Sequence, residues 1–164
     1  MPRLFVAAWP PPEVVERLRS LPRPPGADVR WVPAEQWHVT LRFLGQADVD
    51  EVASRLARVE LPRATAVLGP EIRRLGRGML VVPVAGVDDL AATVHRATDG
   101  LGQPPEHREF RGHLTLARRR RDAALPMVGE AVSAAFDVDE VRLVVSDLDR
   151  RGATYTTVGR WPTV

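Results

Sequence analysis

Two short motifs of the sequence place a histidine and a threonine at the same spacing. His38 and Thr40 lie in HVTL, and His113 and Thr115 lie in HLTL, in a chain with only four histidines. An imidazole titrates near neutral pH, so one neutral ring can accept a proton while a second, charged ring donates one. Two such rings could catalyse an in-line displacement at phosphorus, and the two hydroxyls could donate hydrogen bonds to the non-bridging oxygens.

Both motifs are expected in β-strands. Side chains alternate between the two faces of a strand, so the histidine and the threonine of each motif should project from the same face. The residues expected to point into the core are Val39, Leu41, Leu114 and Leu116. One such histidine alone is more often structural, with its ring bonded to a backbone carbonyl. The matched pair favours a shared catalytic site.

Helical and extended segments alternate around these motifs. Apolar residues at helical spacing predict helices over residues 13–21, 48–59, 87–101 and 125–136. Extended segments are predicted over residues 4–9, 31–45, 64–68, 78–86 and 110–118. A C-terminal hairpin is the clearest prediction, with strands over residues 141–148 and 153–161 around a DRRG turn.

The order of the segments indicates an internal duplication. Leu4 precedes His38 by 34 residues and Leu80 precedes His113 by 33, so each motif occupies the same place in its half. The sequence therefore predicts one bilobal domain with halves of about residues 1–72 and 73–164. If the halves pack about a pseudo-twofold axis, the two motifs face each other across a cleft.

Composition excludes several kinds of chemistry. The 164 residues include no cysteine, which rules out disulfides, thiolate nucleophiles and cysteine-based zinc sites. All 23 basic residues are arginines, so a Schiff base, a P-loop lysine and a lysyl-adenylate are also excluded. With 45% apolar residues and no apolar run long enough to span a bilayer, the chain is expected to fold without a membrane partner. The absence of cysteine fits a reducing compartment, so the expected location is the cytoplasm, and nothing in the sequence demands more than a monomer.

Four segments of the sequence match the pattern of a known family: LFVAAWPP, VRWVPAEQWHVTLRFLG, FRGHLTLARR and LVVSDLDRRGATYTTVGRWP. With them the chain resembles the 2H phosphoesterases, which carry two H-x-[ST]-x motifs, and most of all the RNA 2′,3′-cyclic phosphodiesterases, also called 2′-5′ RNA ligases. The resemblance implies an α+β fold in which two pseudo-symmetric antiparallel sheets line a cleft, with helices on the outside. It also implies hydrolysis of a 2′,3′-cyclic phosphate, on RNA ends or cyclic nucleotides, to a 2′-phosphate without metal or other cofactor.

The resemblance further implies catalytic roles. His38 would donate a proton to the departing 3′ oxygen and His113 would activate water, and the likeness of the two motifs leaves the opposite assignment open. Thr40 and Thr115 would bind the phosphate oxygens.

Two substrate-binding residues are implied as well. Phe43 would stack on the base and Arg118 would contact phosphate. Each lies five residues after its histidine, so strict alternation along a strand would turn it away from the site. A β-bulge or a strand end must redirect both side chains.

Other readings of these features stay open. The same residues could catalyse the reverse reaction, 2′-5′ ligation, and the cleft could belong to a nucleotide- or RNA-binding module without turnover. The run Arg118 to Arg121 could be a solvated basic edge or a patch that binds an RNA backbone. No metal site is expected, because neither motif contains a carboxylate.

The remaining histidines and most tryptophans are expected to be structural. His95 lies in a helical pattern and His107 in a loop-like segment, so neither is predicted to be catalytic. Trp31, Trp37 and Trp161 are expected to pack in or against the core rather than to stack on bases.

Overall fold

The computed structural model describes residues 1–164 and contains three α-helices and ten β-strands. The helices are α1 (Pro12–Arg19), α2 (Val49–Leu56) and α3 (Asp88–Ala97), and a 3-10 turn spans Ala34–Gln36. The strands are β1 (Arg3–Ala8), β2 (Val29–Trp31), β3 (Val39–Gln46), β4 (Ala64–Leu68), β5 (Arg73–Leu75), β6 (Met79–Ala85), β7 (His113–Arg119), β8 (Ala134–Val138), β9 (Glu140–Asp149) and β10 (Gly152–Pro162).

All the strand pairings are antiparallel, and the strands follow the order β10-β9-β1-β3-β7-β6-β4-β8. Two short strands lie off this path, since β2 pairs with β7 and β5 pairs with β6. The α+β class predicted from the sequence is confirmed. The two predicted sheets are, however, joined into one curled sheet by the pairing of β3 with β7.

The lobes of this sheet do not follow the halves of the sequence. Strand β4 comes from the first half of the chain but pairs with β6 and β8, which come from the second. Strand β9 comes from the second half but pairs with β1. We call β10, β9, β1 and β3 the first lobe, and β7, β6, β4 and β8 with the edge strands β2 and β5 the second lobe. Each lobe therefore contains strands from both halves.

The first three predicted helices are present, and each buries one apolar face. Helix α1 begins with Pro12, where a missing N–H costs nothing. Asp48 caps α2, because its Oδ1 accepts a hydrogen bond from the Glu51 backbone N–H at 2.9 Å. The residues that these helices bury are Val14 and Leu18 in α1, Val52 and Leu56 in α2, and Leu90, Ala91 and Val94 in α3.

The prediction of a helix over residues 125–136 is wrong. Met127 and Gly129 have φ angles of 64° and 91°, which lie outside the right-handed helical region. The end of this segment instead forms β8, which pairs with β4 over its full length. Phe136 and Val138 are buried there and the residue between them is exposed, so the period is that of a strand.

Two smaller differences concern strands. The segment predicted as extended over residues 31–45 is interrupted by the 3-10 turn at Ala34–Gln36. Strand β5 was not predicted from the sequence. The C-terminal hairpin of β9 and β10 is present as predicted.

The helices and one face of the sheet enclose a core of 32 buried residues. Trp37 is completely buried in it, and Trp31 and Trp161 pack against it, as expected. None of the helices has the length and apolar character needed to cross a membrane.

Candidate active site

The two His-Thr motifs lie side by side where the lobes join. Val39 pairs with Leu114 between β3 and β7, and both residues are completely buried. Each lies between the histidine and the threonine of its own motif, so all four polar side chains project from the face opposite to the core. Because the strands run antiparallel, the histidine of one motif lies beside the threonine of the other.

Matched bulges bring Phe43 and Arg118 to the same face. Leu41 of β3 has no paired residue in β1, and Leu116 of β7 has no paired residue in β6, so each is the extra residue of a bulge. In each strand the extra residue and the one after it are both buried, so the side chains beyond the bulge change to the opposite face of the sheet. Phe43 and Arg118 consequently line the same cleft as the histidines.

This cleft has a volume of about 610 Å³. Its lining includes all six residues singled out from the sequence: His38, Thr40, Phe43, His113, Thr115 and Arg118. None of the three α-helices contributes to it. Tyr155 and the turn between β9 and β10 lie along one side, and β2 lies along another.

Both histidine rings are oriented by backbone carbonyls. Nδ1 of His38 lies 2.6 Å from the Gln36 carbonyl oxygen, and Nδ1 of His113 lies 2.7 Å from the Arg111 carbonyl oxygen. A carbonyl oxygen only accepts, so each Nδ1 carries its hydrogen and each Nε2 is the atom that exchanges a proton. Nε2 of His38 lies 3.0 Å from the Thr40 hydroxyl oxygen.

The His38 ring is packed among aromatic side chains. It stacks on Phe5 and Trp9 with ring centroids 4.9 and 5.0 Å away, and Tyr155 meets it edge-on at 5.5 Å. Burial lowers the pKa of His38 from 6.5 to about 4, the hydrogen bond to the Gln36 carbonyl opposes this, and the positive charges of His113 and Arg118 lower it further. The ligand-free protein therefore holds His38 neutral at pH 7.

Gly112, just before the second motif, allows a close approach of two backbone segments. Its carbonyl oxygen accepts a hydrogen bond from the Val84 N–H at 2.9 Å. A Cβ at this position would collide with the Val84 carbonyl oxygen, so only glycine lets β7 approach β6 this closely.

A sequence model described as the 2′-5′ RNA ligase superfamily matches residues 5–150. The chain belongs to this superfamily. An RNA 2′,3′-cyclic phosphodiesterase of Aeropyrum pernix is 30% identical, over 87% of this chain and 90% of the relative. A crystal structure described as a phosphoesterase has a TM-score of 0.77 at 28% identity, with 99% and 98% of the two chains covered. The structure of E. coli LigT complexed with 3′-AMP has a TM-score of 0.74 at 28% identity and the same coverage.

In this member of the 2′-5′ RNA ligase superfamily, sequence reasoning missed the aromatic residues around His38. Phe5 and Trp9 come from β1 and the residue after it, and Tyr155 comes from β10. A signal was present in β1, whose two faces are both apolar: Leu4 and Val6 join the main core, while Phe5 joins a second cluster with Trp9 and Tyr155.

The other two histidines of this superfamily member lie away from the cleft. Nε2 of His95 is 3.0 Å from the Leu41 carbonyl oxygen, and burial lowers the pKa of this ring. His107 is exposed in a loop. No group of three or more histidine, aspartate or glutamate side chains is arranged so that it could hold a metal ion.

Proposed function

We propose that the protein hydrolyses 2′,3′-cyclic phosphates at RNA ends or on nucleotides and leaves a 2′-phosphate. The observation that carries this proposal is the paired arrangement of His38 with Thr40 and His113 with Thr115, in which both imidazoles line one cleft and both bond through Nδ1 to a backbone carbonyl. The names of relatives matched over most of the chain, RNA 2′,3′-cyclic phosphodiesterases, support the same activity.

In the proposed reaction a water oxygen bonds to phosphorus while the bond from phosphorus to the 3′ oxygen breaks. Nε2 of His113 takes a proton from the water, and Nε2 of His38 gives a proton to the 3′ oxygen. Once His38 is protonated, its Nε2 no longer accepts from the Thr40 hydroxyl. Thr40 and Thr115 then donate hydrogen bonds to the non-bridging oxygens, and Arg118 supplies a positive charge near them. Phe43, which is 39% exposed, offers a face on which the base can stack.

His38 must acquire a proton before it can act as the acid. The pKa of about 4 in the ligand-free protein reflects burial first and nearby positive charges second. A bound phosphate anion offsets those charges and stabilises the protonated ring. The low pKa also favours a second assignment, in which the neutral His38 is the base and His113 is the acid.

The direct test is incubation with adenosine 2′,3′-cyclic phosphate in EDTA, followed by chromatographic separation of 2′-AMP from 3′-AMP. We expect 2′-AMP as the only product, at a rate that EDTA does not change. Exclusive 3′-AMP would mean that the 2′ oxygen is the leaving group. Saturable binding of 2′-AMP with no turnover of the nucleotide or of RNA ends would instead favour a binding module.

A further inference from the structure

A second groove lies beside the cleft, and its lining consists of arginines alone. Its six lining residues are Arg30, Arg118, Arg119, Arg120, Arg150 and Arg151. We call it the arginine groove. It has a volume of about 560 Å³, and it shares Arg30, Arg118 and Arg151 with the cleft. The two spaces are therefore adjacent.

The positive charge of the arginine groove is not neutralised by the protein. The chain has 21 acidic residues, but none has a carboxylate oxygen within 4.0 Å of a groove guanidinium. The Asp149 carboxylate bonds instead to the Arg151 backbone N–H at 2.7 Å. In a chain with a net charge of only +2, six guanidinium groups at one place without an ion pair favour an anionic ligand.

Both lobes contribute to the groove, and a hydrogen bond within it joins them. Arg30 comes from β2 in the second lobe, and its Nη2 donates a hydrogen bond to the Arg151 carbonyl oxygen at 2.6 Å. Arg151 lies in the turn of the β9–β10 hairpin, in the first lobe. Gly152 has a φ of 123°, and a Cβ there would collide with the Arg30 guanidinium. Gly78 gives room in the same way to the side chain of Arg119.

The chemistry of the lining identifies the ligand class. No apolar or aromatic side chain lines the groove, so it offers no surface on which a base could stack. Guanidinium groups match phosphate through their planar set of donors. A mononucleotide with one cyclic phosphate between the histidines has no further phosphate to place in the groove. A longer strand has one phosphate for each additional nucleotide.

We propose that the arginine groove binds the phosphate backbone of a single RNA strand whose 3′-terminal cyclic phosphate lies between His38 and His113. This inference rests on the proposed function. It makes RNA ends, rather than free cyclic nucleotides, the preferred substrates. Binding in the groove is independent of base sequence, because only phosphates are contacted.

The test compares two double variants with the same change in charge. Arg120→Gln/Arg150→Gln removes two exposed groove side chains that form no hydrogen bond or ion pair within the protein. Arg58→Gln/Arg96→Gln removes two exposed arginines outside the cleft and the groove and serves as the control. The probe is a labelled hexaribonucleotide that ends in a 2′-phosphate, so binding is measured by fluorescence anisotropy without turnover.

In this assay the groove variant should bind the hexanucleotide about tenfold more weakly than wild type, and the slope of log affinity against log salt should become shallower by about 1.4. The control variant should keep the wild-type slope. For wild type, kcat/KM should be at least about tenfold higher for a hexanucleotide with a cyclic phosphate than for adenosine 2′,3′-cyclic phosphate, and the groove variant should lose this preference.

Equal salt slopes for the groove and control variants would overturn the inference. Turnover of the mononucleotide together with no effect of strand length would also overturn it, while leaving the proposed function intact. A protein that turns over neither substrate would refute the proposed function, and the anisotropy measurement would still decide whether the groove binds RNA.

Discussion

Val39 and Leu114 form the single registered pair between β3 and β7, and this pair lies at the centre of both His-Thr motifs. Both side chains are completely buried, so the registration is fixed from the core side. A slip of one residue would turn one motif into the core and expose its apolar neighbours. The separation of the two imidazoles therefore depends on packing that lies beneath the cleft rather than within it.

Replacing either cleft histidine should remove most of the activity. We expect His38→Ala and His113→Ala each to lower kcat by about 100- to 10,000-fold, because each removes one proton transfer. Steady-state kinetics with adenosine 2′,3′-cyclic phosphate measures this loss. His107→Ala is the control, since its ring is exposed in a loop, and it should retain the wild-type rate. Near-normal rates in both cleft variants would refute paired-histidine catalysis.

A substrate analogue should reveal which histidine is the acid. With sulfur in place of the bridging 3′ oxygen, the leaving group is a thiolate, which departs without protonation because thiols are much more acidic than alcohols. If His38 is the acid, His38→Ala should lose at least about tenfold less rate on this analogue than on the oxygen substrate. His113→Ala should lose the same factor on both. The reverse pattern would assign His38 as the base.

The pKa of His38 should respond most strongly to the aromatic ring that covers it. NMR titration of wild type should place this pKa near 4, well below 6.5, because burial is the main cause. Trp9→Ala opens one face of the ring to water and should raise the pKa toward 6.5. Arg118→Gln should raise it less, because charge repulsion is the smaller cause. A larger rise in Arg118→Gln than in Trp9→Ala would contradict this order of causes.

Local sequence predicted the site better than it predicted the connections around it. The faces of the two motifs follow from alternation within a strand, which is a local property, and the placement of Thr40 and Thr115 needed nothing more. The bulges at Leu41 and Leu116 depend on pairing with β1 and β6, so the sequence indicated only that something must redirect Phe43 and Arg118.

Long-range pairing also explains the two main differences in fold. Residues 125–136 contain apolar residues at spacings that suit a helix, but β4 offers an unpaired edge to the end of this segment, and β8 forms there. The same strand β4 crosses into the second lobe, which no pattern within residues 1–72 indicated. Tertiary contacts decided both outcomes over local preference.

Phe43 should affect substrate binding more than the chemical step. Its ring is exposed in the cleft, and the Arg3 guanidinium lies 5.6 Å from the ring centroid. Base stacking on an aromatic side chain contributes about 1–3 kcal/mol, so Phe43→Ala should raise KM by about 5- to 150-fold with a smaller change in kcat. Phe43→Trp should retain a KM near that of wild type. Val158→Ala, at an exposed site outside the cleft, is the control. A loss confined to kcat would argue against stacking.

Arg42 should be a major contributor to stability, although it lies between two cleft residues in sequence. Only 3% of the surface of this residue is exposed. Nη1 donates to the carbonyl oxygens of His95 and Thr98 at 3.1 and 2.9 Å, and Nη2 donates to that of Leu101 at 3.0 Å. These carbonyls lie in and after the last turn of α3, where backbone acceptors lack partners within the helix.

Arg42→Ala should therefore leave the carbonyl oxygens of His95 and Leu101 without their side-chain donor and open a cavity beside them. The Thr98 carbonyl keeps its hydrogen bond from the Leu101 N–H at 3.1 Å. We expect the free energy of unfolding to fall by about 3 kcal/mol or more, measured by urea denaturation. Arg96→Ala removes an exposed guanidinium from the same helix and should change stability by less than about 0.5 kcal/mol. Equal stabilities of these two variants would show that the contacts of Arg42 with the end of α3 contribute little to the free energy of unfolding. The packing of α3 against β3 would then depend on the apolar face of the helix alone.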